Sequence, residues 1–253
     1  MTRRFWLAFG ACSQLLFALT VYRLFLFLRG GTSYTGWLSE RVAGRVPWFA
    51  ADAVLALQFA VFHSVLLYPA VRKALVARIP GPVYGCFFCV ATCVSLLLVT
   101  EGWQPRSAAA WHLQTTAGWL VTGAFLLSWT ALIYSLALTG FGYQTGWTTW
   151  WAWALGREQS RRDFAPKGAY RVLRHPVYLS FLGLIWFNPV MTYDRLTLAA
   201  LWTTHIFVGS YLKDRRLVHY LGAAYRGYQS RVPGYPLIGF GPLGKVPTAQ
   251  TEM

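Results

Sequence analysis

The chain has 253 residues, of which 56% are hydrophobic, 17% aromatic and only 12% charged, and its mean hydropathy is +0.40. Soluble domains carry roughly 25% charged residues, so composition tells against a water-soluble enzyme and, with so many apolar residues, against a disordered chain. The excess of 23 Lys and Arg over 8 Asp and Glu, a formal +15, would suggest nucleic acid in a soluble protein. On an apolar chain it fits basic loops against anionic membrane lipids, with no nucleic-acid partner.

Taken in order, residues 6–28 form the first apolar run. It follows Arg3-Arg4 but is longer than the core of a signal peptide, so it is expected to be a retained span, with Arg23 snorkelling or facing other helices. Spans over 49–71, 83–100 and 116–141 follow. Runs over 176–190 and 196–212 are separated by a short turn, and the first is short for a full crossing, which predicts a tilted or partly inserted hairpin. The fold expected is all-α: a polytopic membrane bundle of four full spans plus a C-terminal helical hairpin, five or six membrane helices in all, and a short cytoplasmic helix. In that division 1–141 is the N-terminal four-helix part, 142–236 the polar part where a site would form, and 237–253 a tail.

With the N-terminus inside, the inner segments hold Arg3, Arg4, Arg72, Lys73, Arg78, Arg157, Arg161, Arg162, Lys167, Arg171, Arg174, Lys213, Arg215, Arg216, Arg226, Arg231 and Lys245. The outer ones hold only Arg29, Arg41, Arg45, Arg106 and Arg195. This asymmetry predicts an integral membrane protein with both termini in the cytoplasm. The tryptophans at 147, 150, 151 and 153 read as an interfacial anchor. Cys86 and Cys89 have redox or metal spacing, but Cys12, Cys86, Cys89 and Cys93 all lie in apolar runs with no second ligand pair, so inert thiols and no metal site are expected.

Polar residues concentrate in 157–178 and 213–236, the two stretches that flank the hairpin. A hairpin brings its ends together, so these stretches are expected to meet above apolar helices. In Arg174-His175-Pro176-Val177-Tyr178, the proline biases His175 away from helical geometry and opens the following helix with free N–H groups. In the second stretch Leu217, Leu221, Ala224, Tyr225 and Tyr228 have helical spacing, which predicts an amphipathic cytoplasmic helix. Asp214, the one acid there, would pair with Arg215 or a neighbour.

The Arg174-to-Tyr178 run, a hydrophobic hairpin and then Leu217, Gly222, Tyr225, Tyr228 and Val232-Pro233 together resemble the integral-membrane methyltransferases, which include isoprenylcysteine carboxyl methyltransferase and phospholipid methyltransferases. Phe59-Ala-Val-Phe-His63-Ser64, Tyr68-Pro69 with Arg72-Lys73, Phe141-Gly142-Tyr143 and Asn188-Pro189-Val190-Met191-Thr192 are similar to the methanethiol S-methyltransferase and NnrU-like branch. The resemblance implies S-adenosylmethionine as methyl donor and a small thiol such as methanethiol as acceptor, giving dimethyl sulfide. A prenylcysteine or lipid acceptor is the alternative within the superfamily. It places donor contacts on Tyr170, His175, Pro176, Val177 and Tyr178, with Arg174 in the same run.

The acidic pair that holds the donor's amino group in that family corresponds to Lys213 and Asp214. Either Asp214 makes that contact, or Lys213 binds the donor's carboxylate, or the cofactor differs. A thiol acceptor must lose a proton, and His63 and His175 are the candidate bases. A haem-binding role, with His63 and His205 as in a haem-dependent NnrU-like isomerase, and a non-catalytic membrane protein are the readings outside methyl transfer.

Overall fold

The computed structural model describes residues 2–30, 34–42, 44, 46–158 and 163–247. Arg45, Arg161 and Arg162 of the charge pattern therefore lie outside the described residues, as does the end of the tail.

Helix α1 (Arg3–Arg29) is capped by the Thr2 hydroxyl, which accepts from the Phe5 N–H. The short α2 (Ser39–Val42) precedes α3 (Trp48–Leu67). The second span stops before its expected end because Tyr68 is extended and Pro69 opens a new helix, α4 (Pro69–Val76). The residue before a proline is driven out of helical geometry, and proline suits the first helical turn. Then come α5 (Tyr84–Gly102), strand β1 (Ala109–His112) and α6 (Thr115–Thr139). Gly140, at φ 82°, ends α6 and leads into α7 (Phe141–Gln144) and the tryptophan-rich α8 (Trp147–Ala154). The chain closes with α9 (Pro176–Trp186), β2 (Val190–Thr192), α10 (Tyr193–Leu221) and α11 (Ala223–Arg231).

The described residues contain four helices long and apolar enough to cross a bilayer: α1, α3, the segment Gly81–Gly102 containing α5, and α6. Leu15, Leu120 and Trp119 on these helices are 74%, 70% and 77% exposed. Many such side chains turn outward, a surface suited to lipid and too apolar for water. The protein is an integral membrane helix bundle.

The hairpin departs from expectation in two ways. First, α9 has 11 residues, about 17 Å at 1.5 Å per residue, against a hydrocarbon core of about 30 Å. The chain nevertheless traverses the bundle, because beyond α9 it continues to β2, which pairs antiparallel with β1 in the α5–α6 connection. Non-helical backbone at that depth must be satisfied by protein. Buried Asn188 donates to the Leu28 carbonyl and accepts from the Val190 N–H, and its own carbonyl accepts from the Trp111 indole.

Second, the sixth run and the expected cytoplasmic helix are one helix. Nothing between Leu212 and Lys213 interrupts the hydrogen-bond ladder, so α10 runs for 29 residues, about 44 Å. It ends only at Gly222, whose φ of 55° favours a residue without Cβ. The short helix is instead α11.

At the end of the bundle that carries the β-ribbon, Arg23 of α1 clamps Glu101 of α5. Its Nε donates to Oε1 at 2.7 Å and its terminal nitrogen to Oε2 at 2.5 Å, and the Tyr34 hydroxyl adds a 2.9 Å bond. Nearby, Asp194 accepts from the Trp103 indole and the Arg106 N–H. Arg195 donates to the carbonyls of Phe27 and Leu28, the open C-terminal end of α1. Between this end and the opposite one lies an apolar core that includes Phe27, Val99, Leu132, Leu184 and Leu198.

Glu101→Gln strands the Arg23 guanidinium. Because Arg23 keeps part of its side chain exposed, the expected loss is at the low end of the ~3–5 kcal/mol typical of a broken buried pair. Thermal unfolding in detergent measures it, and a double change to Met at 23 and 101 should recover most of it.

Candidate functional site

The two polar stretches meet at the end of the bundle opposite the β-ribbon. Residues 174 and 175 run alongside 233 and 234, with the Arg174 N–H bonded to the Pro233 carbonyl at 2.9 Å and the His175 N–H to Gly234 at 3.3 Å. His175 has φ −122° and ψ 47°, outside the helical region, and Pro176 opens α9.

Arg174 is 2% exposed. Its Nε and a terminal nitrogen engage Asp214 Oδ2 at 3.1 and 2.9 Å. The other terminal nitrogen donates to the carbonyls of Val232 and Gly244 at 2.7 and 2.6 Å, and the first also reaches the Pro242 carbonyl at 2.9 Å. Asp214 is equally occupied: His175 Nε2 lies 3.2 Å from Oδ2, and the Tyr225 hydroxyl donates to Oδ1 at 2.5 Å. The Tyr228 hydroxyl donates to the Tyr170 carbonyl, and the hydroxyls of Tyr235 and Ser210 are hydrogen-bonded to each other. The partner of Asp214 is thus Arg174 rather than the adjacent Arg215.

Electrostatics agree with this geometry. Burial would raise Asp214, but the bond from His175 and the charge of Arg174 outweigh it and hold the carboxyl below the ordinary range. Burial holds the His175 imidazole below the ordinary histidine value despite Asp214. His175 is therefore neutral at neutral pH, with Nε2–H donating to the carboxylate. Its Nδ1 is buried without a hydrogen-bond partner among the described residues. His175 is fully enclosed, flanked by the rings of Tyr178 and Tyr235, each with its centroid 5.5 Å away.

Lys213 is different. Successive helix positions diverge by about 100°, so while Asp214 points inward, the half-buried Lys213 sets its ammonium over the Tyr178 ring, 5.1 Å from the centroid. Among the described residues no carboxylate pairs with it. Arg216 lies close enough to act electrostatically on both Tyr178 and His63, which links the hairpin to α3. Pro176 is buried, while Tyr170 and Val177 are half-buried.

His63 stands apart from His175. Its Nδ1 is 3.5 Å from the Thr92 hydroxyl, and its ring lies 6.3 Å from that of His205, 5.7 Å from Phe59 and 5.2 Å from Phe88. Phe59 also lies 6.3 Å from His205. The three rings thus form a triangle, with Phe59 beside both imidazoles. No cluster of three metal-ligating side chains occurs among the described residues, where Cys86, Cys89 and Cys93 are buried free thiols and Cys12 an exposed one.

Sequence reasoning singled out Arg174, His175 and Asp214 but not their acceptors. The carbonyls of Pro242 and Gly244 belong to a segment that looked like an uninformative tail, and a carbonyl acceptor leaves no residue signature. Arg216 and Tyr235 carried no motif either.

Comparison with known proteins bears on this site. The chain is 28% identical to a methanethiol S-methyltransferase of Pseudomonas sp. (strain GM41(2012)), with 90% of this chain and 92% of that protein aligned. It is 26% identical to a methanethiol S-methyltransferase of Mycobacterium tuberculosis, over 92% and 96% of the two chains. The chain is a distant relative of the methanethiol S-methyltransferases. It is also 28% identical to Nurim of Rattus norvegicus over 74% of each chain. No protein-family model and no solved structure matches. In this relative of the methyltransferases, the resemblance read from scattered motifs extends along nearly the whole chain.

Asp214→Asn should destabilise the fold by about 3–5 kcal/mol, because it leaves the buried Arg174 uncompensated. The native carboxyl titrates below its unfolded value, so its stabilisation is present above the ordinary Asp pKa and is lost as pH falls through the native one. Thermal unfolding followed from pH 7 downward should show a steep acid limb in the parent that is shallower in Asp214→Asn.

Proposed function

We propose that the protein is an S-adenosylmethionine-dependent methyltransferase that transfers a methyl group to a small thiol such as methanethiol, giving dimethyl sulfide. The observation that carries this reading is the near end-to-end similarity to methanethiol S-methyltransferases of two distant bacteria. The bacterial relatives support an inner-membrane setting, and the charge asymmetry supports both termini and the Arg174 end of the bundle lying in the cytoplasm.

In this reading the donor binds within 142–236, over the Arg174–Asp214 network. Bound there, the donor supplies an activated methyl on a sulfonium sulfur. The residues present fit its carboxylate end: Lys213 offers a half-buried ammonium beside Tyr178 that no carboxylate pairs among the described residues. Asp214 has both oxygens engaged, so it positions Arg174 and His175 instead of holding the donor's amino group. Tyr170, Pro176, Val177 and Tyr178 shape the pocket, and His175, held neutral, fixes the start of α9 from behind. His63, on α3 beside Thr92 and the His205 ring, is the base toward the acceptor.

Purified protein given S-adenosylmethionine and methanethiol should release dimethyl sulfide, read by gas chromatography. Absence of both product and donor binding would overturn the proposal. A labelled-methyl panel that also contains a prenylated cysteine and a lipid amine identifies the acceptor class. Lys213→Ala should weaken donor binding by about 10- to 100-fold in calorimetry, the worth of a hydrogen bond to a charged group, with the fold intact.

A further inference from the structure

Three polar side chains gather at one level of the bundle, the buried Trp202 and the half-buried His63 and His205. His205, on α10, makes no hydrogen bond among the described residues, and its ring stands edge-on to His63 at 86° and 6.3 Å. Trp202, one turn away on α10 and only 6% exposed, has a buried indole N–H with no partner. His63 has only the long 3.5 Å contact to Thr92. Phe59 joins the three, with ring centroids 5.3 Å from Trp202, 5.7 Å from His63 and 6.3 Å from His205. Unsatisfied polar groups are costly in hydrocarbon, where no water replaces the missing bond. Polar side chains retained at that depth mark a functional site.

We propose that His63, His205 and Trp202 form the binding site for the methyl acceptor: a pocket between α3, α5 and α10 for a small, soft, weakly hydrated thiol. The pocket supplies what such a ligand needs. Aromatic walls from Phe59 and Phe88 take its apolar end, since sulfur packs favourably against rings, while the Trp202 N–H and the His205 ring offer hydrogen bonds to sulfur. In the tautomer that leaves Nε2 bare, with Nδ1 facing the Thr92 hydroxyl at 3.5 Å, His63 takes the proton. Phe62 and Val208, 47% and 51% exposed, lie next to this level on the lipid-facing surface, so a thiol dissolved in the bilayer has a short path in.

The step rests on the methyltransferase reading. The thiol S–H bond breaks and its proton goes to His63. The sulfur electron pair forms the new S–CH3 bond as the C–S bond of the sulfonium breaks, and that bond's electron pair stays on the departing neutral sulfide. His63 is the catalytic base, while His205 and Trp202 hold the acceptor.

The test uses the full chain in detergent, without donor, and dimethyl sulfide as an unreactive, product-shaped probe. Diethylpyrocarbonate should modify His63 and His205, and dimethyl sulfide should protect both while leaving the exposed His112 and His219 modified to the same extent. Mass spectrometry of the peptides reads this without any turnover. In the loaded enzyme, His205→Phe and Trp202→Phe should raise the thiol KM about tenfold, the effect of one lost hydrogen bond. His63→Ala should lower kcat by at least about 100-fold, as expected for a lost general base, with partial rescue by imidazole. Unchanged donor binding in each variant confirms that it has folded.

Absence of protection, or wild-type kcat/KM in variants that bind donor normally, would sink the acceptor pocket and leave the methyltransferase reading standing. Protection by dimethyl sulfide in a protein that methylates no thiol would keep the pocket and remove that reading.

Discussion

The guanidinium of Arg174 and the carboxylate of Asp214 are both out of water, on two segments forty residues apart in the chain. Burying such a pair is costly unless every remaining donor and acceptor is also satisfied. Here the cost is met by surrounding structure. The carbonyls of Val232, Pro242 and Gly244 take the other guanidinium hydrogens, and Tyr225 and His175 take the remaining carboxylate positions. The chain after α11 must therefore fold back beneath Arg174, the start of α9 is fixed, and α10 must run unbroken far enough to bring Asp214 to the same point.

That constraint also decides what is left for chemistry. Because the network saturates Asp214, the neighbouring Lys213 is the group that remains open, its ammonium resting on Tyr178. Residues 213 and 214 diverge by about a quarter-turn of the helix, so one is committed to structure and the other is available. A site built over such a network is rigid at its base, which suits chemistry governed by positioning.

The two ends of the bundle solve the same problem differently. At the β-ribbon end, the pairing of Arg23 with Glu101, together with Asp194 and Arg195, closes helix ends and loops that would otherwise leave polar backbone exposed to lipid. Those groups are fully partnered in structural roles. The Trp202 N–H, between the two ends, is buried without a partner among the described residues, and it is this group, with His63 and His205 near it, that the proposed acceptor site uses.

Composition and hydropathy alone determined that the chain is a membrane helix bundle with four full spans, since burying an apolar run of twenty residues in lipid needs no tertiary information. Local rules also located the start of α9 at Pro176 and brought the two polar stretches to one end of the hairpin. Tertiary structure decided the rest. That α10 continues through Lys213 to Gly222 depends on what it packs against, because the polar residues after Leu212 neither stop a helix nor compel one. The partner of Asp214 was decided by three-dimensional proximity, which favoured a distant arginine over the adjacent one. The acceptors for Arg174 are backbone carbonyls, which every residue carries, so no side chain in the sequence could have named them. The meeting of His63 with His205 is likewise a contact between helices far apart in the chain, and only their packing brings the two rings together.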